Sequence, residues 1–269
     1  MPEGDTVYRA ARMLDRALSG AVLTGSDFRV PQHATADLAG GRVVSTISRG
    51  KHLLTRVEMP DGATLTVHSH LKMEGVWRVY TPTARWTRPA HEARVVLRTA
   101  DTVAVGFALG IVALIRTVEE EAAVGFLGPD LLGPDWDEDE ALRRLSEAPQ
   151  RPIAAALLDQ SRLAGIGNVF AAEVCFTSGV HPTSPVSSVP DLLRLVRRAK
   201  QMLELNKDRS ARSTTGSLRG HERLWVYGRD RLPCRRCGTV IQSGRQGPPG
   251  QDRATYFCPS CQPAADTST

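Results

Sequence analysis

The first residues, Met1-Pro2-Glu3-Gly4, place a proline one step from the chain end and a carboxylate beside it. Removal of Met1 would turn Pro2 into a secondary amine. An α-amino group has a reference pKa near 8 against about 10.4 for lysine, so roughly a tenth is unprotonated at pH 7. An amine of this kind attacks a sugar's anomeric carbon to give a cationic iminium, which then acts as an electron sink for elimination. That chemistry suits cutting a base out of DNA. Pro and Glu also open ordinary helices, where they suit the first turn and its dipole, so both readings stand on these residues alone.

A second group of chemically capable residues lies near the other end. Cys234-Arg-Arg-Cys237 is followed, after twenty residues, by Cys258-Pro-Ser-Cys261. Two such knuckles form a closed tetrahedral thiolate shell, the pattern of one structural zinc ion. A pair of disulfides is the competing reading. It is disfavoured by the strain of bridging within a knuckle and by a reducing compartment. Cys175, between Val174 and Phe176, reads as an inert core thiol. Between the knuckles, Gly244, Arg245, Gly247, Pro248, Pro249, Gly250 and Arg253 read as a mobile hairpin tip. Its guanidinium groups either lie solvated or grip phosphate bidentately.

Gly165-Ile-Gly-Asn168 separates two helical stretches, with Asn168 placed as the N-cap of the second. Gly165 and Gly167 let a backbone approach a partner, and free amides with the Asn168 side chain suit a DNA phosphate. A plain inter-helix turn is the alternative. Lys51 follows an Arg49-Gly50 turn between two strands, where it can reach beyond the sheet or simply lie on the surface. His68 and His70 alternate onto one strand face, and without a third ligand nearby they read as core or hydrogen-bonding histidines.

The elements that must position these groups follow from patterning. Asp5 or Thr6 can cap a helix with Val7, Ala10, Ala11, Leu14 and Leu18 on one face, ended by Gly20. Short β-rich runs follow at Arg42–Ile47, His52–Val57, Thr64–Val67, Val76–Tyr80, Ala93–Leu97, Thr102–Val105 and Ile111–Ile115. They imply an antiparallel sandwich or barrel over residues 1–116. Residues 117–141 hold nine acidic and no basic residues and read as an interdomain connection facing away from a polyanion. Helices are expected over Pro152–Gln160, Asn168–Thr177 and Val189–Asn206, giving a helical domain at 142–225, then a metal finger at 226–262 and a disordered tail at 263–269.

The chain has 269 residues, enough for two domains, and a formal net charge of +5. Division of that charge is more telling. Residues 1–190 carry 19 basic and 22 acidic side chains, and residues 191–269 carry 15 and 7, so the last third faces a polyanion. No apolar run reaches membrane-spanning length and the start lacks a secretory pattern, which leads us to expect a cytoplasmic protein without a membrane partner. Only four of the 34 basic residues are lysine, which favours a GC-rich bacterial source.

Pro2-Glu3-Gly4, Arg-Gly-Lys51, His70-Leu-Lys-Met-Glu-Gly75, Leu157-Leu-Asp-Gln160, Gly165-Ile-Gly-Asn168, Val226-Tyr-Gly228 and the knuckles, taken in order, resemble the formamidopyrimidine-DNA glycosylase and endonuclease VIII family over nearly the whole chain. The resemblance implies an α+β fold: an N-terminal helix with an antiparallel β-sandwich, then a helix–two-turn–helix domain and a C-terminal zinc finger. It implies a monomer acting on damaged DNA as glycosylase and abasic-site lyase, with one structural zinc and no organic cofactor. Pro2 would be the Schiff-base nucleophile, Glu3 the acid at the sugar, Lys51 the catalytic lysine and Arg253 the zinc-finger arginine of δ-elimination. Asn168, Gly165 and Gly167 would grip phosphate, and Met73 would wedge into the stack left by the extruded base. Thr6 stands where many relatives carry glutamate, and Phe126 where an endonuclease VIII relative carries a DNA-contacting arginine. No Arg-Arg-Phe segment accompanies Val105-Gly-Phe-Ala108, which favours the endonuclease VIII branch and oxidised pyrimidines over 8-oxoguanine. A zinc-finger binder of damaged or single-stranded DNA without turnover is the rival reading.

Overall fold

The structure is a computed structural model and describes residues 2–247 and 252–264. It divides into two compact units, Met1–Phe126 and Leu127–Thr269. In the first, α1 spans Gly4–Leu18 and buries Val7, Ala11, Leu14 and Leu18, the stripe expected from the sequence. Its start differs from expectation. Glu3 is the N-cap, with no side-chain cap bond, and its carbonyl accepts from Thr6 and Val7 at 3.0 Å. Asp5 therefore lies inside the first turn, buried, where the helix dipole favours its charge. Gly20, at φ 83°, ends the helix in the left-handed conformation that glycine adopts without cost.

Two four-stranded antiparallel sheets follow, joined by short turns. One has the order β2 (Arg42–Arg49), β3 (His52–Glu58), β4 (Thr64–His70), β8 (Ile111–Arg116). The other has the order β1 (Gly25–Phe28), β6 (Ala93–Arg98), β7 (Val103–Phe107), β5 (Val76–Tyr80). Residues Leu53, Val57 and Val67 of the first sheet meet Trp77, Val95, Leu97 and Ala104 of the second in one core, with the apolar stripe of α1 packed into it. This is the sandwich expected, plus one strand that was not, β1.

The acidic stretch does not behave as a free connection. Glu120, at the start of α2 (Glu120–Val124), accepts from Arg56 at 2.9 and 2.6 Å and from Thr66 at 2.6 Å, which fastens it to the first sheet. Further on, Leu127, Leu131 and Ala141 are buried in the second unit. Apolar residues interspersed among the acidic ones tie the later part of the segment into the second core, and the unit boundary falls inside it.

The second unit comprises α3 (Glu138–Ser146), α4 (Ile153–Leu158), α5 (Asn168–Ser178) and α6 (Leu192–Asn206), then a hairpin of β9 (Gln242–Gln246) and β10 (Arg253–Phe257). Residues Pro248, Pro249 and Gly250 of the expected loop, and 265–269 of the expected tail, lie outside the described residues. Helix α5 is buried on every side. Its one carboxylate, Glu173, is fully buried and accepts from the backbone of Trp225 and Val226 at 2.8 Å, of Tyr227 at 2.9 Å, and from the Thr214 hydroxyl. Burial raises its pKa, and the four donors oppose that rise. Removing the carboxylate orphans three backbone donors in an apolar site. Glu173→Ala is expected to cost about 3 kcal/mol or more of stability, and Glu173→Gln less, as read by urea denaturation.

Candidate active site and nucleic-acid interface

In the first unit the groups that could react sit at the start of α1 and at one end of the β2–β3–β4 sheet. Glu3 is completely buried and Pro2 partly so. Thr6, in the position expected to hold a second acid, donates its hydroxyl to Asp5 at 3.2 Å. A second carboxylate is thus present in the same turn, one residue earlier. Lys51 sits at the second position of a two-residue hairpin whose first residue, Gly50, has φ 57°. A glycine at that position gives the II′ turn that matches strand twist, and it holds Lys51 at the sheet's end.

Strand register gathers three imidazoles there. His52 faces His70 across β3 and β4, and Leu54 faces His68. His52 Nδ1 and His68 Nε2 are 2.8 Å apart, a hydrogen bond between the two rings, and the His52 and His70 ring centres are 4.8 Å apart. His70 Nδ1 accepts the Lys72 backbone N–H at 2.9 Å, so neutral His70 carries its proton on Nε2. Phe126 covers His52 edge-on at 6.1 Å. Burial first, then neighbouring His70, His68, Lys72 and Lys51, lower the His52 pKa to about 3. Burial, then Lys72, Lys51 and His68, bring His70 to about 4. Burial lowers His68 as well, with Glu120 opposing. The expectation of hydrogen-bonding rather than metal-binding histidines agrees with this arrangement. His52 itself was missed, although the hairpin register already places it opposite His70.

Met73 stands on the turn after β4 and is 64% exposed. The turn is tight: Gly75 donates to the Leu71 carbonyl at 2.9 Å, and a Cβ at Gly75 would lie 2.4 Å from that oxygen. An exposed apolar side chain on a closed turn is a suitable wedge.

In the second unit, the loop between α4 and α5 is built by side-chain amides. Gln160 Nε2 donates to the carbonyls of Leu158 and Ile166, and its Oε1 accepts from Gly165, which is at φ 103°. Gly167, extended, is the N-cap of α5, one residue before the cap expected at Asn168, which is the first helical residue. Asn168 Nδ2 donates to the Ala254 carbonyl on β10 at 2.8 Å. An amide nitrogen has two hydrogens, so this bond ties helix to hairpin and leaves one for another acceptor. Arg253, next to Ala254, is exposed, and its guanidinium has no ion-pair partner among the described residues. Arg245 is instead paired with Asp252.

Cys234, Cys237, Cys258 and Cys261 bring their sulfurs within 4.8 Å of one another. Cys237 Sγ is 3.5 Å from both Cys258 Sγ and Cys261 Sγ, too far for a disulfide, and all four thiols are free. A tetrahedral ion with bonds of about 2.3 Å needs sulfurs about 3.8 Å apart, so the four fit one metal. Cys175 is buried among α5 neighbours, and burial pushes its thiol up to about 12, as an inert core thiol requires.

Residues 1–108 match the Formamidopyrimidine-DNA glycosylase N-terminal domain, and residues 127–215 match the Formamidopyrimidine-DNA glycosylase H2TH domain. The chain is 55% identical over 265 residues to the "Probable endonuclease 8 2" of Streptomyces coelicolor, covering 97% of this chain and 94% of that protein. The chain belongs to the formamidopyrimidine-DNA glycosylase and endonuclease 8 family. Within this family it is also 50% identical to the "DNA-(apurinic or apyrimidinic site) lyase Nei2" of Mycolicibacterium smegmatis, covering 98% of this chain and all of that one. The Lactococcus lactis Fpg (MutM) in complex with N7-benzyl-Fapy-dG DNA superposes with a TM-score of 0.78 at 25% identity, covering 97% of this chain and 100% of that chain. The higher identity to endonuclease 8 proteins puts this family member on that branch. Among the described residues no helix is long and apolar enough to cross a membrane.

For this endonuclease 8 relative the histidine cluster sets a pH response. With folded pKa values near 3 and 4 for His52 and His70, the unfolded chain binds more protons between about pH 4 and 6.5. The clustered stability is fully present above pH 6.5 and is lost as the pH falls below it. The melting temperature of the wild type is expected to drop between pH 7 and pH 4.5. His52→Gln should flatten that drop while Lys51, Lys72, His68 and His70 remain.

Proposed function

We propose that the chain is a bifunctional DNA glycosylase and abasic-site lyase of base excision repair, acting on oxidised bases with pyrimidines favoured. The observation that carries the reading is the buried carboxylate of Glu3 directly beside Pro2 at the head of α1. A carboxyl group beside an amine nucleophile can serve as the general acid at the sugar. In this reading Met1 is removed, and the Pro2 nitrogen bonds to C1′ while the damaged base departs with the glycosidic electron pair. Ring opening gives an iminium. Loss of a C2′ proton then expels the 3′-phosphate, and a second elimination expels the 5′-phosphate. Lys51 assists the first elimination and Arg253 the second. Met73 fills the vacated stack, and Asn168 with Gly165 and Gly167 holds the phosphate backbone. The relatives' names as endonuclease 8 and abasic-site lyase, and an Fpg complex with oxidised-pyrimidine DNA at 25% identity and a TM-score of 0.79, support this choice.

The metal in this reading is a single structural zinc held by Cys234, Cys237, Cys258 and Cys261. It supplies no chemistry to the reaction. It fixes the knuckles from which β9 and β10 present Arg253. The working protein is a monomer in the bacterial cytoplasm, bound to damaged DNA.

Borohydride added with a duplex containing an oxidised pyrimidine should trap a covalent protein–DNA adduct. Pro2→Gly, or retention of Met1, should abolish it. An adduct that survives without the free proline amine would refute the assignment, and tight binding with no nicking of any lesion would favour the non-catalytic binder. Metal analysis should find one zinc per chain. Cys258→Ser should lower that content and weaken DNA binding at least about tenfold, as the finger loses the metal that folds it.

A further inference from the structure

A cavity of about 280 Å3 in the second unit is walled by Ser178, Asp191, Arg194, Arg198 and Arg236, with Gly179 and Pro190 at its rim. It sits at the C-terminal end of α5, ten residues from Asn168 and so about 15 Å along the helix axis from it. None of the residues assigned above to catalysis or DNA binding lines it.

Three guanidinium groups converge there. Arg194 and Arg198 are one helical turn apart on α6. Arg236, inside the first knuckle, is steadied by two aromatic faces, its Cζ 4.5 Å from the Phe176 ring centre and 5.8 Å from that of Trp225. The neighbouring Arg197 is neutralised by Glu138 at 2.9 Å, yet the side chains of Arg194 and Arg198 have no carboxylate or hydrogen-bond partner among the described residues. The one carboxylate in the wall, Asp191, is engaged as the N-cap of α6, accepting the Arg194 backbone N–H at 2.8 Å. Burial, then the charges of Arg194 and Arg236, lower the pKa of Arg198. Ser178, at the end of α5, also lines the cavity. The Ser178 hydroxyl oxygen is buried and has no hydrogen-bond partner, a state that folded proteins avoid unless something else satisfies it.

We propose that this cavity binds a phosphate group, with Arg194, Arg198 and Arg236 neutralising the oxyanion and the Ser178 hydroxyl donating a hydrogen bond to it. Guanidinium forks match phosphate oxygens, and like charges held together this way are stabilised once an anion separates them. The volume lies just under the roughly 300 Å3 at which pockets begin to enclose a whole small molecule, so the site takes one phosphate rather than a nucleotide. That phosphate is either inorganic or part of a DNA backbone running beyond the lesion.

The test uses the full-length, metal-loaded protein. Arginine side-chain 1H–15N resonances are followed during titration with inorganic phosphate at constant ionic strength, with chloride as control. Arg194 and Arg198 signals should shift and saturate, and Arg198→Gln should weaken the response at least about fivefold. Ser178→Ala, which leaves every charge in place, should weaken it as well and carries the test if Arg198→Gln does not fold. In a second arm, abasic-site duplexes with short and long flanks are bound over a range of salt by the wild type and by Arg194→Gln/Arg198→Gln. If the backbone supplies the phosphate, the salt slope of the long duplex alone falls by about 1 to 2. If free phosphate is the occupant, both duplexes bind as in the wild type while phosphate binding is lost. The proposal is overturned when the phosphate titration does not saturate and the long-duplex slope is unchanged.

Discussion

The second unit depends on a carboxylate buried in the middle of its core and held by backbone donors. Glu173 sits in the middle of α5, a helix with buried residues on every face, and its oxygens accept three consecutive backbone N–H groups and a hydroxyl from the segment that leads into the cysteine knuckles. A charge in such a place is tolerated only when its acceptor capacity is filled. The arrangement therefore works as a specificity device: only one path of residues 225–227 satisfies it. Two further amides extend the attachment. Asn168 holds the Ala254 carbonyl at the helix's other end, and Gln262 donates to the Val180 carbonyl at 2.7 Å while accepting the Cys258 N–H at 3.0 Å. Helix and finger are consequently one piece, and the Gly165–Asn168 loop and Arg253 are held by the same scaffold.

The first unit solves a related problem with sheet register instead of a buried charge. The turn after Glu58, closed by the Met59 N–H donating to the Ala63 carbonyl at 2.8 Å, fixes which residue of β3 faces which residue of β4, and a slip of one would turn every side chain to the other face. The same register that buries Leu53 and Val57 in the sandwich brings His52 against His70 and His68. Neutral imidazoles beside Lys51 and Lys72 add donors and acceptors without adding to the positive charge.

How far the sequence foretold this arrangement varies with the kind of signal. Strands with branched apolar residues, such as Ala93–Arg98 and Ile111–Arg116, were legible from alternation and turn residues. β1 was not, because Gly-Ser-Asp-Phe carries no alternating apolar pattern and is held by pairing with β6. Helix ends moved for local reasons. α4 stops at Leu158, short of Gln160, because the Asp159 carboxylate takes the Ser161 N–H and hydroxyl and bends the chain out of the helix. α6 starts at Leu192, where Asp191 caps it. The knuckles were readable as chemistry from their spacing, and the other motifs through their ordered resemblance to the family. His52 and Glu173 were not, since their significance arises only when distant residues are folded against them.

Charge was legible in amount but not in disposition. The sequence divides into an acidic-leaning first part and a basic last third, yet neutralisation is local. Arg143 and Arg144 share Glu140, Arg197 holds Glu138, and Arg245 holds Asp252. Arg223, Arg229 and Arg235 direct their donors to backbone carbonyls of the segment around the finger, which keeps their charge but fixes their direction. A long-range field draws on all of them, whereas a close phosphate contact needs a guanidinium whose donors are still open. By that criterion Arg253 at the hairpin and Arg194, Arg198 and Arg236 around the cavity differ, among the described residues, from these paired arginines. On the proposed roles, the basic third of the chain would offer phosphate two separate places, divided by the length of α5, and the cysteine knuckles would bear on both through Arg253 on one side and Arg236 on the other.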